Sequence, residues 1–249
     1  MKLRVATLNM EQDHKRWDQR RDLIVEALFA IDPDIFAMNE VCIPLQTARW
    51  IQRTLRERHG RHYALVQQTR VNGLSAVEGE ALLTRLPLVE TGNLDYRTRD
   101  MVALVARVMA GGRTVDVYVT HQYMSRGDDA PRLFQAQQLL TWIDERADAD
   151  ARIVCGDFNA TLEAPSAALM ASRLRPTQTQ NTAFTPLADA DGTVTHPQWR
   201  RMDRCIDYIW IDSALDVIHS EVCFNVPSET DPTLYASDHA GVRADLAFR

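Results

Sequence analysis

Lysine is nearly missing from this sequence. Lys2 and Lys15 are its only two among 249 residues, so arginine carries almost all of the positive charge. Positive charge is not in excess either: the formal net charge is −6, which argues against strong non-specific affinity for polyanions. A nuclease stays open, because an acidic metal-holding site would itself supply negative charge. No apolar run approaches the ~20 residues that cross a bilayer. The N-terminal Met1-Lys2-Leu3-Arg4-Val5 leads into a strand pattern without a signal-peptide hydrophobic region. These features predict a cytoplasmic protein with no membrane partner. Cysteine is sparse and unpatterned. Cys42, Cys155, Cys205 and Cys223 show no C-x-x-C spacing, which indicates neither a disulfide framework nor a zinc site and predicts buried, reduced thiols. Low-complexity linkers and solenoid-period repeats are absent. The expectation is one domain over residues 1–249, a monomer.

What is present is ordinary for a globular protein: 45% apolar and 25% charged residues. Strand-like and helical runs alternate. Leu3 to Leu8 reads as a strand, followed by Leu23, Ile24, Ala27 and Leu28 at helical spacing. Ile31-Asp32-Pro33-Asp34 ends that helix. Ile35 to Met38 is a short buried strand, and Trp50, Ile51 and Leu55 suggest a second helix. Tyr63 to Gln67 and Glu80 to Thr84 read as further strands. The alternating runs Val102 to Val108 and Val115 to Val119 flank Gly111-Gly112 and predict a β-hairpin. Leu133 to Ala147 carries an amphipathic helix. Strands over Ile206 to Ile211, Val217 to Phe224 and Val242 to Phe248 close the chain. Hairpins mixed with βα units imply an α/β protein of mixed sheets covered by helices.

Polar residues recur where the apolar strands stop. Asn9 follows Val5-Ala6-Thr7-Leu8, Glu40 follows Phe36-Ala37-Met38-Asn39, His121 follows Val117-Tyr118-Val119-Thr120, and Asp157 and Asn159 follow Ile153-Val154-Cys155. Asp207 lies inside the apolar run Cys205 to Ile211, and Asp238-His239 comes just before the last strand. Strand ends are where α/β proteins bind ligands. A carboxylate at such a place costs free energy unless a cation, a proton or a hydrogen bond compensates it. A hard-metal site acting on phosphate is the reading these positions favour.

The ordered segments TLNM, MNEV, GEALLTRLP, THQY, GDFNA, IDYIWI and SDHAGV resemble the endonuclease/exonuclease/phosphatase superfamily, over residues 3 to 248. GDFN and SDH, in this order and spacing, carry the resemblance. It implies a four-layer α/β sandwich, two mixed β-sheets face to face with helices outside. It also implies Mg²⁺- or Mn²⁺-dependent hydrolysis of a phosphoester. By the same resemblance Glu40 is the principal metal ligand, with Asn9 and Asp238 beside it. His239 is the catalytic histidine and Asp207 its orienting carboxylate. Asp157 and Asn159 orient the attacking water and bind a phosphate oxygen, and His121 contacts the scissile phosphate. Glu80 lies where some nucleases carry a Glu hydrogen-bonded to that histidine. Arg85 matches a Ser-Arg-x-Pro pattern whose arginine is more often structural. Asn39 departs from the family's usual Gln before the Glu, a change in a neighbour of the ligand.

Substrate is less legible. Arg49, Arg53, Arg56, Arg58 and Arg61 recur at helical spacing with His59 and His62, and Arg200-Arg201-Met202-Asp203-Arg204 forms a second basic cluster. Each reads as a solvated face or as a rim for a polynucleotide. Val71-Asn72-Gly73-Leu74 is too short and polar-flanked for a lipid-inserting hairpin. The segment Ser125 to Ala136 resembles compact bacterial members with varied substrates. The sequence therefore predicts phosphodiester hydrolysis, nuclease-like, by metal-activated water. The alternatives are a phosphomonoesterase or a phospholipid or inositol-phosphate hydrolase with the same site, and a non-catalytic binding module on this fold.

Overall fold

The structure, a computed structural model, describes residues 2–11, 15–70, 77–125, 127–146, 148–181 and 204–249. Ala147, Val71 to Leu74, Arg126 and the Arg200 to Asp203 part of the second basic cluster lie outside them.

In chain order the elements are β1 (Lys2–Asn9), α1 (Trp17–Ile31), β2 (Ile35–Cys42), α2 (Thr47–His59), β3 (Ala64–Thr69), β4 (Glu78–Thr84), β5 (Leu88–Asp95), β6 (Val102–Ala110), β7 (Arg113–His121), α3 (Ala130–Glu145), β8 (Ala151–Asp157), α4 (Pro165–Ala171), β9 (Arg175–Pro176), β10 (Asp207–Ile211), β11 (Leu215–Cys223) and β12 (Gly241–Phe248). They form two six-stranded sheets, β11-β12-β1-β2-β4-β3 and β5-β6-β7-β8-β10-β9. Each sheet holds one parallel pair, β1 with β2 and β7 with β8, and its other pairs are antiparallel. The helices α1 and α3 are the crossovers that parallel pairing requires.

Three apolar layers hold the sandwich together. Between the sheets, Leu3, Val5, Ile35 and Leu246 meet Leu104, Val117, Ile153 and Ile209. Outside the first sheet, Ala6, Leu8 and Phe36 pack on Ile24 and Leu28 of α1 and Ile51 of α2. Outside the second, Val105, Tyr118 and Val154 pack on Ala136 and Leu139 of α3 and Met170 of α4. Leu3 and Val5 thus face one layer while Ala6 and Leu8 face another, the period of two that a strand imposes. With both faces covered, the central strands read as unbroken apolar runs, which is why the sequence located them.

Three elements left no such trace. The edge strand β5 is mostly exposed, so no apolar alternation marks it. β9 has only two residues, and α4 is a seven-residue helix. The four cysteines are free and buried. Among the described residues no helix is long and apolar enough to cross a membrane.

Candidate active site

The two β-α-β units deliver their strand ends to one place. In the first sheet Asn9, the last residue of β1, is in register with Asn39 of β2. In the second, His121 ends β7 opposite Asp157 at the end of β8, and Asp157 is opposite Asp207 at the start of β10. Neighbouring strands lie about 4.8 Å apart, so His121, Asp157 and Asp207 stand in a row. Ser237 Oγ donates to the Asn9 carbonyl at 2.5 Å, which brings the Asp238-His239 turn against the end of β1.

The backbone is distorted where these side chains are presented. Glu40 does not follow β2, as the sequence suggests, but sits inside it at a register break between Met38 and Val41. Its φ is +55°, and Asn159 has φ +48°. Left-handed backbone is uncommon for non-glycine residues and is a strain that the surroundings must hold. Gly156 has φ +139°, and a Cβ there would lie 2.0 Å from the Thr120 carbonyl oxygen. Only glycine lets β7 and β8 meet this closely just before His121 and Asp157.

The side chains form one network. His239 Nδ1 lies 2.9 Å from Asp207 Oδ2, and its Nε2 lies 3.9 Å from Asp157 Oδ2. One ligand atom from each of Asp157, Asp207 and His239 fits within 4.8 Å of the others. Asn9 Nδ2 donates to Glu40 Oε1 at 3.0 Å and to Asp157 Oδ2 at 3.1 Å. The Asn9 oxygen accepts the Glu11 N–H at 3.0 Å. Asn9 is therefore placed as a donor bridging two carboxylates rather than with its oxygen turned to the ion that Glu40 would hold. His121 Nε2 is 3.6 Å from Asp157 Oδ2 and 3.7 Å from Glu40 Oε1. The Asn159 backbone N–H donates to Asp157 Oδ1 at 2.7 Å, and Asn159 Nδ2 lies 3.0 Å from His121 Nε2.

The electrostatics are those of crowded acids. Burial, then repulsion from Asp238 and Glu78, raises Glu40 well above the carboxylate range. Burial and the neighbouring Asp207 raise Asp157 to about 7. Glu80 and Glu11 are each raised to about 7, mainly by burial. The two histidines go opposite ways. Burial lowers His239, but Asp207, Asp238 and Asp157 outweigh it and the ring ends well above its ordinary value. Burial, Arg70 and His239 all lower His121, which is held neutral. Environments that split two like groups in this way are a mark of acid–base assignment.

Several contributors carry no sequence signal. Asn39, fully buried, accepts the Asp157 N–H at 2.9 Å and donates to Glu80 Oε2 at 2.5 Å and the Thr120 carbonyl at 3.0 Å. Arg70, just past β3, reaches His121 Nδ1 at 2.7 Å and Glu78 at 2.7 Å. Arg20 on α1, fully buried, joins Glu11 at 3.2 Å to the Ala236 carbonyl at 2.9 Å. Apart from the Asn39-for-Gln departure, nothing in their local pattern sets them apart from core or surface residues.

Glu80, Arg85 and the Arg49–Arg61 stretch stand apart from that network. Glu80 is fully buried and meets Asn39 and, at 3.9 Å, Arg70; its link to His121 runs through that arginine. Arg85 is bound to Asp32 and Asp34 at the start of β2, away from the strand ends that gather the other residues. The Arg49–Arg61 stretch is not a continuous rim. Arg58 pairs with Asp22 and Arg61 with Asp32, at the end of β2 remote from Glu40. Arg49, Arg53 and Arg56 line a recess of about 250 Å³ with Gln52, His62 and Tyr63, where the chain enters β3.

The chain is similar to known proteins in both sequence and fold. The sequence profile described as the Endonuclease/Exonuclease/phosphatase family matches residues 6–239. Nocturnin of Homo sapiens is 26% identical over 261 residues, covering 94% of this chain and 59% of that protein. The chain thus spans about three fifths of the length of the curated relatives it matches. A structure of the human nocturnin catalytic domain with a bound sulfate anion has a TM-score of 0.74 at 25% identity, covering 100% of this chain and 95% of that one. Two more distant structures share the fold. D. rerio TDP2 complexed with a single-strand DNA product has a TM-score of 0.76 at 17% identity, covering 99% of each chain. A mannosyl-6-phosphatase of Bacteroides thetaiotaomicron has a TM-score of 0.76 at 18% identity, covering 99% of this chain and 100% of that one.

Proposed function

The chain belongs to the endonuclease/exonuclease/phosphatase family, a family of phosphoester hydrolases, and from that premise we propose that it is a Mg²⁺- or Mn²⁺-dependent phosphodiesterase acting on a polynucleotide. One observation carries the reading: Glu40, Asn9, Asp157, Asn159, Asp207, His121, Asp238 and His239, drawn from both sheets, converge on one strand-end site.

The donor set fits a hard divalent cation. Oxygen ligands suit Mg²⁺ and Mn²⁺, and buried carboxylates pushed up together need positive charge. We assign the ion to Glu40 and Asp238, whose repulsion it would relieve. Asn9 holds Glu40 and Asp157 in place, and its oxygen would join the ion only by giving up the Glu11 N–H. When bound, the cation neutralises phosphate charge and lowers the pKa of coordinated water. Asp157, raised to about 7, is suited to accept a proton from the attacking water, which Asn159 orients. Asp207 fixes the His239 ring and holds it charged, so Nε2 presents an N–H to a phosphoryl oxygen or the leaving group. His121, neutral, contacts the scissile phosphate.

The polynucleotide preference is supported by the Arg49, Arg53, Arg56 and His62 recess. It opens beside Tyr63, before β3, while Arg70 at the far end of the same strand enters the site. The seven residue steps between span roughly 20 Å. A small phosphomonoester cannot bridge that distance, whereas an oligonucleotide backbone can. The D. rerio protein's single-strand DNA product is consistent with such a ligand. We further assign one domain over residues 1–249, a monomer, in the cytoplasm, where four buried free thiols are at home.

A substrate panel with Mg²⁺, Mn²⁺ and EDTA tests the reading. It covers plasmid, abasic duplex, single-stranded RNA, bis-p-nitrophenyl phosphate, sphingomyelin, inositol phosphates and DNA oligonucleotides of increasing length. KM is expected to fall with oligonucleotide length until the recess is reached. Neutralising Arg49, Arg53 and Arg56 should abolish that dependence and leave bis-p-nitrophenyl phosphate turnover unchanged. Ready hydrolysis of a sugar, inositol or lipid phosphate with no cleavage of any polynucleotide would replace the diesterase reading by a phosphatase or lipid-hydrolase one.

A further inference from the structure

The hydrogen bonds around His121 do not balance. A neutral imidazole has one N–H donor and one acceptor nitrogen. Within hydrogen-bond distance both nitrogens face donors: Arg70 Nη2 at 2.7 Å from Nδ1, and Asn159 Nδ2 at 3.0 Å from Nε2; the carboxylates of Asp157 and Glu40 stand farther from Nε2, at 3.6 and 3.7 Å. No protonation state of the ring available near neutral pH accepts both. The stronger contact is Arg70, which is charged and shorter and lacks any acceptor atom. Arg70 is itself fixed, with Nη1 2.7 Å from Glu78 Oε2 and Nη2 3.9 Å from Glu80 Oε1. Glu80 is anchored in turn by Asn39 at 2.5 Å. The Asn159 amide is held the other way round, because its Nδ2 also donates to the Gln122 carbonyl at 2.9 Å.

We propose that Arg70 is a positioning residue that makes Nδ1 of His121 the acceptor and so turns an Nε2–H donor into the site. A glutamate in direct contact with Nδ1, the arrangement that the resemblance allows for Glu80, would do the opposite: it would demand a proton on Nδ1. Interposing Arg70 reverses the polarity of the ring. Nε2–H of His121 and the second N–H of Asn159 then face the same small space as two donors, and what belongs between them is an acceptor. On the phosphoesterase reading, on which this catalytic role rests, that acceptor is a nonbridging phosphoryl oxygen. The pair would bind it as neutral dipoles, without adding a charge beside the cation held by Glu40.

Ring ¹⁵N shifts from long-range ¹⁵N–¹H spectra of the full chain report the tautomer directly, with the His121 signals assigned by His121→Asn. The expected result, with and without Mg²⁺, is a bare Nδ1 and a protonated Nε2. Arg70→Ala should lose that single tautomer and lower kcat by roughly 10–100-fold, the usual cost of losing a group that orients an active-site ligand, with KM changed much less. Arg70→Lys, a donor that cannot accept, should restore the tautomer and part of kcat. A protonated Nδ1 in the wild type overturns the inference, as does an Arg70→Ala variant with the wild-type tautomer and kcat. Should Arg70→Ala fail to fold, the wild-type spectrum and Arg70→Lys decide alone. The spectra need no substrate: an Nε2–H tautomer in a protein that hydrolyses no phosphoester would count against the proposed function while leaving the Arg70 geometry standing.

Discussion

His239 and Asp207 should behave as one catalytic unit, and a double-mutant cycle measures how tightly. The pair is buried, with 2.9 Å between Nδ1 and Oδ2. At an effective dielectric of about 20, unit charges that close attract by ~6 kcal/mol. Taking each ion out of water costs several kcal/mol, so the gross figure cannot survive. A hydrogen bond between charged groups nets about 1.5–3 kcal/mol, which is a coupling of roughly 10–150-fold in rate. His239→Ala removes the group proposed to meet the phosphate and should lower kcat/KM by about 10²–10⁴. Asp207→Ala leaves a ring without orientation or countercharge and should cost that coupling, roughly 10–150-fold. Once His239 is gone, however, Asp207 has nothing to orient, so His239→Ala/Asp207→Ala should match His239→Ala. The assay is kcat/KM on bis-p-nitrophenyl phosphate at saturating Mg²⁺, with circular dichroism to check that each variant is folded. Losses that simply add would show that the two residues act independently and would refute the dyad.

Three further outcomes follow from the same geometry. Glu40→Gln keeps the size but removes the charge that would hold the cation, so the Mg²⁺ concentration for half-activation should rise about 10–100-fold; unchanged activity at low Mg²⁺ would move the metal elsewhere. Glu80 has its carboxyl raised from 4.5 to about 7. A raised pKa favours the folded state below 4.5 and loses that advantage as pH climbs through 7, a loss of about 3 kcal/mol. Urea unfolding of the metal-free protein should therefore show that decline between pH 4.5 and 7, reduced in Glu80→Gln; parallel curves for the two proteins contradict it. Gly156→Ala places a methyl 2.0 Å from the Thr120 oxygen at a φ of +139°, so the midpoint of unfolding should fall by the equivalent of about 2–4 kcal/mol, and an unchanged midpoint would mean that the strands part freely there.

Much of this architecture could be read from the sequence because its central strands are buried on both faces. Val5, Ile35, Val117 and Ile153 lie in unbroken apolar runs, and the polar residues that end those runs are the ones that gather. The edge strand β5, exposed along most of its length, obeys no such pattern. Glu40 was expected after a strand and lies within one, because a register break against β4 is a property of two strands together. Arg70 and Arg20 escaped because what distinguishes them is a partner far along the chain: His121, 51 residues away, and Ala236, 216 residues away. Arg4 and Arg16 also reach partners more than 200 residues away, so it is the place of the contact, and not its range alone, that matters. The Arg49–Arg61 stretch misled in the opposite sense. Helical spacing placed its residues on one element but could not reveal that Asp22 and Asp32 neutralise its far end.

Asn39 has a mechanical consequence. The layer between the sheets is apolar, and apolar attraction is itself non-directional. Asn39 ties Glu80 on its own sheet to the Thr120 carbonyl and the Asp157 N–H on the other, and hydrogen bonds are directional. It acts as a detent: a peg that stops the sandwich at one sliding position. That position is also the one at which Glu40, carried by the first sheet, confronts His121 and Asp157, carried by the second. A longer amide in this chain could keep all three bonds only by moving Glu80, the Thr120 carbonyl or the Asp157 N–H, and with them the strand ends that carry the site.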